Sequence, residues 1–200
     1  MKLDKWLQSS ALAFMLAVNP ANVEGQQPAS RESSRFIGMI DQNGQNVTKH
    51  TFANKNQVVY FGLAGCGVSC PTTLLRMREA FDKLEKSDYR QKLGNTVPVF
   101  VSIQASDKPE NMKAYLSAMP SPKNTIGLTS FMNPTALEAA QQAFVVVVPK
   151  DNIAAHSNAI YFVDVNNKIS WLKSETATDL ANSIAQKLNE QPTTKPEPTR

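Results

Sequence analysis

Cysteine and histidine are nearly missing from this chain: 200 residues carry two of each. A disulfide-stapled scaffold is thereby excluded, because a single pair closes at most one bond. There is no basic run and no basic patch interleaved with aromatics, which removes nucleic acid from the expected partners. The net charge of +4 is mild, and its Lys and Arg are scattered among acids, so it reads as a solvated, slightly basic surface. No apolar run is long enough to cross the ~30 Å of a bilayer as a helix. No internal repeat is visible. Ordinary hydrophobic content at this length then leaves one core and one domain.

The first 25 residues have a different character. Lys2 and Lys5 precede an uncharged stretch from Ser9 to Val18, and small residues follow from Asn19 to Gly25. That is the layout of a secretory signal peptide over 1–25, with cleavage after Gly25 or Ala21. An amphipathic surface helix fits less well, since Ala11 to Val18 has no polar periodicity. Export places the protein in the periplasm or an equivalent oxidising compartment, where a lone thiol pair closes unless metal or reductant intervenes. Residues 26–34 are polar and read as a linker, 35–190 as the folded domain, and 191–200, with three prolines among polar residues, as a disordered tail.

Within the domain, Asn43-Gly44 between short apolar runs predicts an N-terminal β-hairpin with a type I′ turn. Val58 to Phe61 and Thr96 to Ile103 read as buried strands. Leu74, Met77, Phe81 and Leu84 form one helical stripe, and Met112, Tyr115, Leu116 and Met119 another. Asn133-Pro134 predicts a capped helix start, and Val145 to Val148 a strand. A second hairpin is expected around Asn166-Asn167, followed by a helix from about Thr176 with Leu180, Ile184 and Leu188 on one face. Alternation of this kind makes an α/β domain with a central sheet.

Both cysteines lie on one strand-to-helix turn, Gly62-Leu63-Ala64-Gly65-Cys66-Gly67-Val68-Ser69-Cys70-Pro71, with three residues between them. Pro71 suits a first helical turn, and the free N–H groups of a helix N-terminus stabilise an anion there. Cys70 in particular is expected to lose its proton easily. Such a pair forms a disulfide or holds one soft metal ion. As a purely structural staple it is poor, because so short a loop constrains little of the unfolded chain.

These residues resemble the Sco/SenC family of copper-binding, thioredoxin-fold proteins that assist assembly of the cytochrome oxidase copper centre. Phe36 to Thr48 is similar to the family's opening hairpin, and Val58 to Leu74 to its strand, C-x-x-x-C-P turn and helix. Val97 to Leu116, Ile126-Gly127-Leu128-Thr129 and the histidine-bearing stretch from His156 to Trp171 extend the likeness over roughly residues 35 to 173. Three places depart from the pattern: Gly67-Val68 after the first cysteine, the shortened stretch Gln104 to Pro109, and Ala155 where relatives often carry Asp. The last removes a carboxylate that could serve as a fourth ligand.

The resemblance implies a thioredoxin-like fold with a central mixed sheet flanked by helices and an N-terminal hairpin. It also implies a copper site of Cys66, Cys70 and His156. Thioredoxin-like oxidoreductases usually carry a proline near the position of His156, and its absence here leaves room for an imidazole over the sulfurs. Two thiolates and one imidazole suit Cu(I), whereas structural zinc wants a fourth Cys or His that is not in view. Read alone, His156 would be a surface-loop histidine, as His50 is expected to be. Met77, Met112 and Met119 read as core filler, and Asp107 as a neighbour of the site only if its loop folds over it. The implied role is delivery of copper to a cytochrome c oxidase copper-site subunit, or reduction of that subunit's thiols, near a membrane. No turnover is required, so the sequence leaves enzyme status open. The rival reading is a periplasmic thiol–disulfide oxidoreductase using Cys66 and Cys70 on another thiol client.

Overall fold

The computed structural model describes residues 35–191. The expected signal peptide and linker lie outside them, as does the expected tail beyond Gln191. In chain order the elements are β1 (Ile40–Asp41), β2 (Asn56–Gly62), α1 (Ser69–Glu85), α2 (Arg90–Leu93), β3 (Thr96–Ser102), α3 (Pro109–Ala118), β4 (Ile126–Thr129), α4 (Pro134–Phe144), β5 (Ile160–Val163), β6 (Ile169–Leu172) and α5 (Ala177–Asn189). Six strands form one sheet in the order β1-β4-β3-β2-β5-β6. β2, β3 and β4 run parallel, while β5 pairs antiparallel with β2, β6 with β5, and β1 with β4. This is the mixed, helix-flanked sheet that the resemblance implies.

Strand periodicity divides the core into two layers. Val58 and Tyr60 of β2 join Phe100 and Phe162 on the face covered by α1, α3 and α5. Val59 and Phe61 join Val99, Val101 and Tyr161 on the other, beneath Phe36, Met39 and α4. Every residue of β2 is buried, as suits a strand at the centre of the sheet, and its Val58 to Phe61 stretch is the continuous apolar run.

Three local expectations are corrected. Val145 to Val148 is not a strand. Val145 adopts the left-handed conformation (φ 55°), its N–H reaches Gln142 O at 3.2 Å, and the N–H of Val146 reaches Gln141 O at 2.9 Å. These two bonds are a Schellman closure of α4, so the valines finish a helix instead of pairing with a sheet. Val145 and Val147 are exposed, and only Val146 is buried. The opening hairpin is present in reduced form: Ile40 bridges Asn46, but Asn43 does not share the positive φ of Gly44 (79°). The Asp41 carboxylate accepts the N–H groups of Asn43 and Gln45 at 2.8 and 2.9 Å, fixing a longer bulged turn in place of type I′. Asn133 precedes α4 without capping it, since its amide donates to Gly38 O (3.1 Å) and accepts from Thr135 Oγ1 (2.7 Å).

The second hairpin turns at Asp164 to Lys168, with Asn167 left-handed (φ 62°), as the Asn-Asn pair predicts. Thr176 and Asp179 form a reciprocal capping box at the start of α5. The short α2 has no counterpart in the sequence reading.

Candidate functional site

Parallel strands β2, β3 and β4 all end at one edge of the sheet, and antiparallel β5 begins there. That edge therefore gathers the loop after β2, which carries Cys66, and the lead-in to β5, which carries His156. β2 ends on Gly62 because nothing larger fits. A Cβ there would lie 2.8 Å from the Phe100 ring and 3.1 Å from Cys70 Sγ. The loop then turns back, with Cys66 N–H donating to Leu63 O at 3.1 Å and Gly65 taking a φ of 111°.

Both cysteines are free thiols in very different surroundings. Cys70 lies in the first turn of α1 and is fully buried, whereas Cys66 is partly exposed. The helix N-terminus serves Cys66: the N–H of Cys70 points at Cys66 Sγ (3.4 Å), and Ser69 Oγ stands 3.2 Å from the same sulfur. Partial burial pushes the Cys66 thiol up. The Ser69 hydroxyl and the N–H groups of Cys70 and Val68 outweigh it and bring the thiol down from its ordinary 9.0 to about 6. Cys70 moves the opposite way. Burial raises it, and the hydroxyl of Tyr60 and the backbone at Leu63 do not compensate. The expectation that Cys70 is the acidic thiol is thus reversed, because a sulfur just before the helix receives the first-turn N–H groups and a sulfur within that turn is buried beneath them.

Two tyrosines hold this loop from below and from the side. The Tyr60 hydroxyl donates toward Cys70 Sγ at 3.4 Å, and the Tyr115 hydroxyl of α3 donates to the carbonyl of Cys66 at 3.1 Å. Burial raises both phenols far above their ordinary value, with the neighbouring sulfurs adding to the effect, so both remain protonated donors.

His156 is buried at 4% exposure, following a 3-10 turn over Ile153–Ala155. Its Nδ1 lies 2.9 Å from the carbonyl of Ser157. A carbonyl only accepts, so Nδ1 carries the proton and a neutral ring keeps its lone pair on Nε2. The imidazole neighbours Tyr60, whose ring centroid is 6.5 Å from its own and whose hydroxyl reaches Cys70 Sγ. The structure thus brings Cys66 and Cys70 together and places His156 beside Tyr60, outside contact range for a shared ion. Among the described residues no three His, Cys, Asp or Glu side chains are gathered closely enough to hold a metal ion. The donor types nevertheless fit a soft, monovalent metal: two sulfurs, one of them readily ionised, and an imidazole whose Nε2 is not tied to the backbone.

The remaining candidates fall outside this group. His50 is exposed on the opening loop, while Met77 and Met112 are core residues and Met119 is partly buried against the same layer. Asp107 is buried, but its carboxylate accepts from Ser102 Oγ at 2.5 Å and more distantly from Gln104, at the ends of β3 and β4. Ser69, Tyr60, Tyr115 and Asn158 escaped the sequence reading. The signal for the tyrosines was present, since a buried tyrosine seeks a partner for its hydroxyl.

The SCO1/SenC family model matches residues 24–191 of this chain. The protein sco1 of Schizosaccharomyces pombe is 29% identical over 159 residues, which cover 74% of this chain and 58% of that protein. The chain spans less than two thirds of the length of the curated relatives it matches. The crystal structure of Arabidopsis thaliana ScoI with copper bound superposes with a TM-score of 0.65 at 22% identity, covering 76% of this chain and 96% of that one. BsSco, described as a member of the Sco family of cytochrome c oxidase assembly proteins with a disulfide switch, gives a TM-score of 0.61 at 20% identity, over 76% and 91% of the two chains. The fold is accordingly the thioredoxin-like one.

Proposed function

Because this chain belongs to the SCO1/SenC family, we propose that it is an exported copper-binding protein. In this reading Cys66, Cys70 and His156 hold one Cu(I), which is delivered to a cytochrome c oxidase copper-site subunit. The observation that carries it is that one sheet edge presents both an acidified thiol and a buried imidazole whose Nδ1 is tied to Ser157, leaving Nε2 as a donor. Cys66 supplies the first thiolate at neutral pH, Cys70 the second once metal displaces its proton. Closing the third contact requires the His156 loop to move toward the sulfurs. The copper-bound relative and the family description support this reading.

The asymmetry of the thiols favours a second reading in which the same pair reduces the copper-site thiols of that subunit, or another client. The partly exposed Cys66 thiolate attacks a client disulfide, forming a mixed disulfide and releasing one client thiolate. Buried Cys70, losing its proton, then attacks Cys66 Sγ and expels the second client thiolate.

Anaerobic titration of reduced protein with Cu(I) against a competing chelator separates the two. Copper carriage expects one Cu(I) per chain, with tight binding lost in Cys66→Ser and in Cys70→Ser and weakened in His156→Ala. Unchanged uptake in both serine variants would discard copper and leave the thiol exchange reading.

A further inference from the structure

Tyr60 contacts both the cysteine turn and the loop that carries His156. Its hydroxyl lies 3.4 Å from Cys70 Sγ and 3.3 Å from Asn158 Oδ1. A phenol has one proton to give, so it cannot serve both acceptors at once. The ring itself is fully buried on β2 and packs edge-on against Phe100 at 5.8 Å, so only the hydroxyl is free to turn. Asn158 is exposed, which leaves its amide free to rotate, and it lies two residues beyond His156 on the same lead-in to β5.

We propose that Tyr60 is a positioning residue that couples the state of Cys70 to the loop carrying His156, by giving its one proton to either Cys70 or Asn158. In the reduced state the one proton is shared between Cys70 Sγ at 3.4 Å and Asn158 Oδ1 at 3.3 Å, and a metal-bound sulfur draws it to Cys70. When Cys70 Sγ is bonded to Cys66 Sγ, the sulfur is turned toward Cys66 and the hydroxyl donates to Asn158 Oδ1 alone. The loop is held in one arrangement or the other according to the sulfur. This rests on the reading that Cys66, Cys70 and His156 serve one site. It adds how the third member is brought toward the first two.

The test compares the full chain reduced and then oxidised with oxidised glutathione, which takes two electrons and two protons from the thiol pair and leaves as two glutathione thiols. Backbone amide signals of residues 155–159 are followed by NMR in the parent, Tyr60→Phe and Asn158→Ala proteins. In the parent these amides shift on oxidation. In both variants the shift falls by more than half, while the amides of residues 66–70 still report the new disulfide. Asn158→Ala keeps the buried ring intact and decides the matter if Tyr60→Phe folds poorly. Loop amides that respond equally in parent and variants overturn the proposal.

A second arm measures Cu(I) affinity. Each single variant is expected to lose about tenfold, the usual scale for residues that orient a ligand. The double variant should lose no more than either single, and Tyr60→Phe should have little effect in a His156→Ala background. Additive losses, or the same loss without His156, also overturn it. If the parent takes up no Cu(I), the copper reading fails alone, and the loop response to oxidation still decides the role of Tyr60.

Discussion

The reversal of acidity between the two cysteines has a measurable signature in alkylation kinetics. With Cys66 at about 6, about nine tenths of it is thiolate at pH 7, against about one hundredth for a thiol at its ordinary value. That gain of about two orders of magnitude is partly cancelled. A thiolate of lower pKa is a weaker nucleophile, with a Brønsted slope of about 0.4–0.5, which costs about twentyfold over three pH units. The net advantage at pH 7 is therefore only about fourfold. The shape of the profile is the stronger test. Reduced protein alkylated with iodoacetamide from pH 4.5 to 10, with each site followed by peptide mass, should show Cys66 rising to a plateau above about pH 7. Cys70 should remain slow and still be climbing at the alkaline end. A Cys66 midpoint near that of an ordinary thiol, or a Cys70 midpoint below that of Cys66, refutes the assignment of the first-turn N–H groups to Cys66. Stability carries the same sign. A depressed thiol stabilises the reduced fold above its unfolded pKa, and that contribution is lost as pH falls from about 9 through about 6. Denaturant midpoints should decline over this window, and less so in Cys66→Ser.

Gly62→Ala places a methyl group 2.8 Å from Phe100 and 3.1 Å from Cys70 Sγ, and should cost about 1–3 kcal/mol in urea unfolding. The same variant should alter the alkylation rate of Cys70, and native stability with native Cys70 kinetics would contradict the tight contact. Val145→Gly relieves a left-handed β-branched residue whose side chain is exposed, and should raise stability by about 1 kcal/mol. A loss would mean that the Schellman closure of α4 is misassigned. Thr176→Ala removes the capping box of α5 and should cost about 1 kcal/mol, with restoration by serine.

Periodicity located the strands and helices that face the core, because burial repeats every two or every three to four residues whatever the tertiary context. It misread Val145 to Val148, where a continuous apolar run is compatible with both a strand and a helix stop, and only the hydrogen bonds of Val145 and Val146 distinguish them. Asn43-Gly44 named a turn correctly and its type wrongly, because the Asp41 carboxylate competes for the same N–H groups. At the site, the cysteines and His156 were legible as residue types. Which sulfur receives the helix N–H groups was not, since it depends on whether each precedes or enters the helix. Tyr115 lies 49 residues from Cys66 and Asn158 98 residues from Tyr60, separations that no local pattern bridges.

The bond from Tyr115 to the Cys66 carbonyl gives the reactive sulfur an unusual mechanical footing. Cys66 hangs from a surface loop, yet its main chain is bolted to α3, whose Met112 and Leu116 close over Gly127 of β4 with no room for a Cβ. Large excursions of the thiol loop therefore have to break that bond first, which adds about 1 kcal/mol to the cost of moving an otherwise free loop. A partner meets a sulfur already held in place, so little ordering entropy remains to be lost when the two dock.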